Sequence, residues 1–245
     1  MIAVWFSNGA PSACALKLAI NRFGSEHVRA LNNPVAEEDE DNLRFAKEVG
    51  IWCGVTVERV AHPDFPAGRA EDVWEHKKAM SFVHGAPCTT ILKTGARQHW
   101  EKSNYVRWHV LGFTLEEKKR HERFVLTERA NVLPLLIQHE MTRDDCAHML
   151  AGAGIALPRV YGWGLPNANC LGCVKATSPT YWNLIRRTVP DVFQRRAVQS
   201  RRLGVRLVRY KGARIFLDEL PADAVGRPIK IMPDCGTFCE ERTDL

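Results

Sequence analysis

The stretch Ile2-Ala3-Val4-Trp5-Phe6-Ser7-Asn8-Gly9-Ala10-Pro11-Ser12 decides the fold. Residues 2–6 are apolar and β-favouring, the pattern of a buried strand. Small residues follow, then Ala13, Leu16, Ile20 and Phe23 at helical spacing, which predicts a helix with one buried face. Pro11 suits the first turn of that helix, where its missing N–H has no partner to lose. Gly24 fits the helix stop. A strand, a small-residue turn and a helix start bring backbone N–H groups and the positive helix end over one spot, and such a spot receives anions.

Working outward, residues 27–31 read as a second strand, closed by Asn32-Asn33-Pro34. The acidic run 37–41 is expected to open a helix, since negative charge suits an N-terminal dipole. Leu43, Phe45, Ala46, Val49 and Trp52 give that helix its apolar side, and Gly54 ends it. Residues 55–60 form a third strand, 62–68 a loop and 72–80 a helix. A fourth strand lies within 105–113, and 130–137 reads as a strand running into Pro134-Leu135. Thr142 and Asp145 form a capping box for another helix. Residues 181–203 read as one long basic helix. Two short strands around Lys211-Gly212 read as a hairpin. Alternating strands and helices with short links predict an α/β fold: a parallel sheet with helices on both faces. The expected division is a domain over 1–204, then a hairpin and cysteine-bearing tail over 205–245.

The chain of 245 residues, 45% hydrophobic and 25% charged, has ordinary globular composition. Its length buries a sizeable core without staples. No apolar run is long enough to span a membrane. The first residues already form a strand, which leaves no room for a signal peptide, so the cytoplasm is the expected location. Eight cysteines are many for such a chain, and in that compartment clustered cysteines read as metal ligands or redox groups. Cys170 and Cys173 are spaced C-x-x-C, which fits zinc, an iron–sulfur cluster or a dithiol. Cys235 and Cys239 form a second pair, and Cys88 is a fifth candidate. Cys14, Cys53 and Cys146 fall on apolar helix faces and read as core. His109, inside a strand, reads as a satisfied core histidine. Net charge is +6, and residues 186–214 carry many arginines against one acid, Asp191. That stripe is either a solvated face or a surface for a phosphate-bearing partner such as nucleic acid.

The spacing Ser7-x-Gly9-x-x-Ser12 resembles the PP-loop, Ser-Gly-Gly-x-x-Ser, of the adenine nucleotide α-hydrolase-like superfamily. That Rossmann-like group includes PAPS and APS reductases, ATP sulfurylase small subunits, thiouridine-forming enzymes and DndC-type sulfurtransferases. Asn8 replaces a glycine of the motif. Ala10-Pro11 replaces the Lys-Asp pair of ATP-cleaving members, a lysine that reductase-type members also lack. Further pieces follow in the order seen in PAPS reductase-like proteins: Cys88 to Lys93, Gly112 to Glu117 with Arg120, Pro134-Leu135, Thr142 to Asp145, and Tyr161 to Cys173. The resemblance covers roughly the first 200 residues.

The resemblance implies a nucleotide site made by Ser7, Asn8, Gly9, Ser12, Lys93, Glu117 and Arg120. Arg97, Arg123 and Lys175 join it as candidate anion binders through proximity in sequence. It implies PAPS, APS or ATP as the nucleotide and reductive cleavage of a sulfonucleotide as the activity, with a thiol protein as reductant. A 4Fe-4S cluster is implied on Cys88, Cys170, Cys173 and Cys239, with Pro87 standing where APS reductase-like proteins have a further cysteine. Zinc is the other occupant of that set. Asp234-Cys235-Gly236 looks like the terminal Glu-Cys-Gly of PAPS reductases, which makes Cys235 the catalytic nucleophile or an alternative ligand; only its thiolate is a good nucleophile. The other activities implied are DndC-like sulfur transfer into nucleic acid, or a nucleotide- or nucleic-acid-binding module with structural zinc.

Overall fold

Every residue from Ile2 to Phe6 is buried, so the first strand has to lie inside a sheet covered on both faces. The computed structural model describes residues 1–82 and 85–229 and places the strand there. Strand β1 (Ile2–Trp5) pairs in parallel with β2 (Val28–Asn32) on one side and with β4 (Trp108–Val110) on the other. Beyond β2 lies β3 (Val57–Arg59), and beyond β4 lies β5 (Val132–Leu133). The order is β3-β2-β1-β4-β5, all parallel. Register sets Val4 beside Ala30 and Val110.

Successive side chains of a strand point to opposite faces, and β1 uses both. Ile2, Val4 and Phe6 pack with Ala13 and Leu16 of helix α1 (Ala10–Phe23), Phe45 and Val49 of α2 (Asp41–Cys53), and Leu150 of α7 (Arg143–Gly152). Ala3 and Trp5 pack in the other layer, with Ala96 of α4 (Ala96–Glu101) and Phe124 of α5 (Lys118–Thr127). Cys14, Cys53 and Cys146 are buried core residues, as expected. The Thr142–Asp145 capping box is present. Among the described residues, no helix is long and apolar enough to cross a membrane.

Three expectations need correction. The acidic run reaches α2 only with its last two residues, Glu40 as N-cap and Asp41 in the first turn. Glu37 instead accepts hydrogen bonds from the backbone N–H groups of Ala70 (2.8 Å) and Glu71 (3.1 Å), and so caps α3 (Ala70–Lys77) from outside. The strand read over 130–137 is only two residues long. Pro134 ends it, and α6 (Leu135–Gln138) follows because Leu135 and Leu136 bury themselves with α1. The long basic helix is two helices, α8 (Pro179–Thr188) and α9 (Pro190–Arg202). Pro190 has no N–H to donate, and its ring would clash with the carbonyl four residues back. Val189 accordingly leaves helical geometry, at φ −139° and ψ 69°.

The hairpin is present as β6 (Val208–Tyr210) and β7 (Ala213–Ile215), antiparallel. Lys211 and Gly212 both have positive φ, 47° and 82°, the two left-handed residues that match a tight hairpin to strand twist. Leu207, Val208, Leu217 and Leu220 pack with Tyr181, Trp182 and Phe193, so residues 205–229 share a core with α8 and α9.

Gly112, just after β4, touches the start of α1. A Cβ there would lie 2.8 Å from the Ser12 backbone nitrogen and 3.0 Å from the Pro11 carbonyl carbon. Backbone cannot yield as a side-chain tip can. Gly112→Ala is therefore expected to cost about 1–3 kcal/mol of stability, read as a lower midpoint in urea denaturation. An unchanged midpoint would show that α1 and β4 do not meet as closely as described.

Candidate functional site

The strand order reverses between β1 and β4, so the chain leaves these neighbours in opposite directions and a crevice opens at their carboxyl ends. Ser7 lines it after β1, Asn32 and Asn33 at the end of β2, and Leu111, Gly112 and Phe113 after β4. Lys93, Arg97 and Arg120 complete the wall. The enclosed part holds about 30 Å³, room for roughly one water, so a nucleotide would sit across the mouth.

The loop after β1 is braced from within. Ser12 Oγ accepts from the backbone N–H and the hydroxyl of Ser7, both at 3.1 Å, and donates to the Gly9 carbonyl at 2.9 Å. Asn8 is left-handed, with φ 61°, and its amide turns toward Glu38, donating at 3.1 Å. Of the four loop residues expected at a nucleotide, Ser7 lines the cleft and Ser12 holds Ser7 in place. Gly9 precedes α1, whose first turn carries no acid to offset its positive end.

Each cation is held differently. Lys93 lies on a π-helical turn, Thr89–Gly95, that begins after Cys88. Its Nζ is 3.2 Å from Glu38, and both side chains are only 7% exposed. Burial pushes the Glu38 carboxyl up from its usual range, while Lys93, Asn8 and Asn42 pull it back. Arg120, on α5, pairs with Glu117. Glu117 also caps Thr114 and lies 3.3 Å from Arg143, so it stands behind Arg120 as counterion and cap, outside the lining of the cleft.

Arg97, on α4, is the exception. It is 4% exposed, yet among the described residues no carboxylate lies within ion-pair distance. Its Nε has no hydrogen-bond partner, while Nη2 donates to Thr94 Oγ1 at 3.5 Å. The guanidinium sits 5.6 Å from the Trp5 ring centroid. Burial and then Arg129 lower its pKa to about 10, against the weaker opposing pull of Glu101 and Glu128, which still leaves it charged at neutral pH. A buried charge without a partner is costly, and one that lines an open cleft invites an anion from solvent. Arg97 is four residues beyond Lys93, the helical spacing that sets two side chains on one face; that signal was present in the sequence.

Cys88, Cys170 and Cys173 come together, although far apart in the chain. They line one small cavity with Val35, Trp74, Leu92 and Val174, and Lys93 and Lys175 also line it. The Tyr181 hydroxyl accepts from the backbone N–H of Cys173 at 2.8 Å. Among the described residues, no group of three or more His, Cys, Asp or Glu side chains is arranged to hold a metal ion. The donor chemistry suits a thiolate-bound centre, and the described geometry gathers three soft donors round one cavity without completing a coordination shell. Cys235 and Cys239 lie outside the described residues.

The basic segment turns inward more than expected. Arg196 is 1% exposed, donates to the Gly172 carbonyl at 3.2 Å, pairs with Glu71 at 3.2 Å and stacks 4.4 Å from the Trp74 ring. It thereby holds the C-x-x-C loop. Arg186 donates to the carbonyls of Leu217 and Leu220, and Arg201 pairs with Asp218 and Glu219.

The fold and the cleft define a doubly wound α/β protein with a cationic crevice at its switch point. No family model matches the chain, and no curated protein does.

Two outcomes are expected. Removing an unpartnered buried charge relieves a cost, so Arg97→Met should leave stability unchanged or raise it by up to about 3 kcal/mol. A loss of about 2 kcal/mol or more in chemical denaturation would make Arg97 structural. His109 supplies the second. It is buried, with the Trp5 indole N–H at 3.0 Å from Nδ1 and Arg129 at 2.7 Å from Nε2. Burial first, then Arg129 and Arg97, lowers its pKa from 6.5 to about 3. Between those values the unfolded chain binds a proton that the folded one does not. Stability from the neutral ring is therefore complete above about pH 6.5 and is lost as pH falls toward 3. His109→Gln should flatten that loss in denaturation midpoints taken across pH. Identical pH dependence in the variant would contradict the assignment.

Proposed function

We propose that this chain is a PAPS/APS reductase-like, sulfur-handling enzyme that binds an adenine nucleotide across the switch-point cleft. The observation that carries the reading is the position of Lys93. Its side chain lines both the cationic cleft and the thiol cavity, so an anion held by Arg97 and Arg120 lies beside Cys88, Cys170 and Cys173. Three converging cations suit a phosphate joined to a sulfate better than a single charge. Ala10-Pro11, in place of the Lys-Asp of ATP-cleaving relatives, favours reduction over ATP cleavage.

In this reading the Cys235 thiolate attacks the sulfonate sulfur. A sulfur–sulfur bond forms, and the sulfur–oxygen bond to the nucleotide phosphate breaks, so the nucleotide leaves with that oxygen. A thiol reductant protein then takes the cysteine sulfur into a disulfide and releases sulfite. Cys88, Cys170, Cys173 and Cys239 are the residues that would hold a 4Fe-4S cluster, or zinc. A centre held by four thiolates would itself carry net negative charge, which Lys175, lining the same cavity, would offset beside the bound anion.

Calorimetry with AMP, ATP, APS and PAPS, on chain purified without oxygen, tests the reading. A sulfonucleotide should bind more tightly than AMP, and Arg97→Met should weaken it about tenfold or more. Iron and sulfide found together would support the cluster, and zinc alone would support the simpler module. Failure of every nucleotide to bind would remove the enzyme reading.

A further inference from the structure

A second cationic surface lies away from the cleft, along the hairpin. Lys175, Arg209, Lys211, Arg214 and Arg227 line an open groove in which Asp223 is the one carboxylate among the described lining residues. These cations come from three separate stretches of chain, each fixed to the fold. Arg209 donates its backbone N–H to the Thr177 carbonyl at 2.9 Å. Arg214 donates to the Leu207 carbonyl at 2.9 Å. The segment at Arg227 is strapped to the start of α8, where Ser178 Oγ donates to the Arg227 carbonyl at 2.6 Å and Gly226 N–H donates to Thr180 Oγ1 at 2.9 Å.

The hairpin register adds a second observation. Arg209 and Arg214 are direct cross-strand partners, so two like charges face each other across a two-stranded ladder. That arrangement destabilises a hairpin. Arg214, like Arg186 of α8, is anchored to a backbone carbonyl, which holds its charge at the groove facing Arg209. An anion lying along the groove would offset that repulsion. Arginine forks match phosphate oxygens, and Tyr210, which lines the same groove with Lys211 Nζ 5.3 Å from its ring centroid, adds an aromatic ring.

We propose that this groove binds a single strand of nucleic acid, with its phosphates on Arg209, Lys211 and Arg214. A cationic channel that includes an aromatic ring tracks a flexible phosphodiester backbone and accepts a stacked base. Lys175 lines both the groove and the thiol cavity, so the bound strand runs beside the cysteines. The assignment stands on the groove's own charge and does not depend on what occupies the cleft.

Fluorescence anisotropy of a short labelled oligothymidylate with the full chain tests it. Affinity should fall as salt rises from about 50 to 200 mM, with a log–log slope of about −2 for three phosphate contacts. Arg209→Glu should lower affinity about tenfold and reduce the slope by about 1. Its unfolding midpoint should hold or rise, because opposite charges would then face each other across the ladder. Lys211→Gln should also weaken binding, without touching the ladder. Arg187→Glu, exposed on α8 and outside the groove, should bind as wild type does. Absence of binding at low salt, wild-type affinity in Arg209→Glu, or an equal loss in Arg187→Glu would overturn the proposal. Equal affinity for a duplex of the same length would overturn its single-strand form.

Discussion

The buried ion pair between Glu38 and Lys93 is the constraint from which the site follows. At 3.2 Å, with both partners 7% exposed, it ties three parts of the molecule together. Glu38 also accepts from Asn8, in the loop after β1, and from Asn42, on α2. Lys93 reaches it from the π-helical turn after Cys88. A buried carboxylate has to be paired and hydrogen-bonded to remain charged, and here Lys93 comes from a turn that borders both the cleft and the thiol cavity, Asn8 from the loop after β1, and Asn42 from α2. Breaking the pair would strand a charge in the core and release the wall between the two.

The same principle sorts the other charged side chains by what each one is for. Arg196 is buried and fully engaged, and its work is to fix the C-x-x-C loop against α3 and α9. Arg120 is backed by Glu117. Arg97 has a hydrophobic seat over Trp5 and no direct ion pair among the described residues, with Glu101 and Glu128 acting on it only from farther off. Charges satisfied by the protein hold the architecture. The one left unsatisfied at the switch point marks where a ligand is expected, because the parallel sheet places backbone donors and loop ends there and leaves space between them.

Much of this was legible in the chain. The strand, turn and helix over residues 2–23 could be read because hydrophobic period changes from continuous to helical within a few residues, with Pro11 marking the boundary. The parallel sheet followed from alternation of such units. The convergence of Cys88 with Cys170 and Cys173 was implied by motif order. Other features depend on tertiary packing, which local pattern does not encode. Glu38 sat inside an acidic run that looked like helix N-terminal charge, and nothing local distinguished it from Glu37, which caps a different helix. Arg97 could be named as a candidate anion binder, but its burial could not be read, since that is decided by Trp5 and α4 together. Pro190 is the exception, since a proline inside a helical stretch is itself a local break signal that the reading of one helix over 181–203 passed over.

Cleft, thiol cavity and basic groove lie in series, joined by Lys93 and then by Lys175. An account in which sulfur chemistry occurs beside an anionic nucleotide rests on the first of these junctions. A crystal structure of the chain grown with an adenine sulfonucleotide tests it most directly. The account predicts the phosphosulfate across the mouth of the switch-point crevice, with oxygen atoms within hydrogen-bond reach of Arg97 and Arg120 and the sulfate end toward Lys93 and the thiols. A nucleotide seated anywhere else, with Arg97 still lacking an anion, would contradict it.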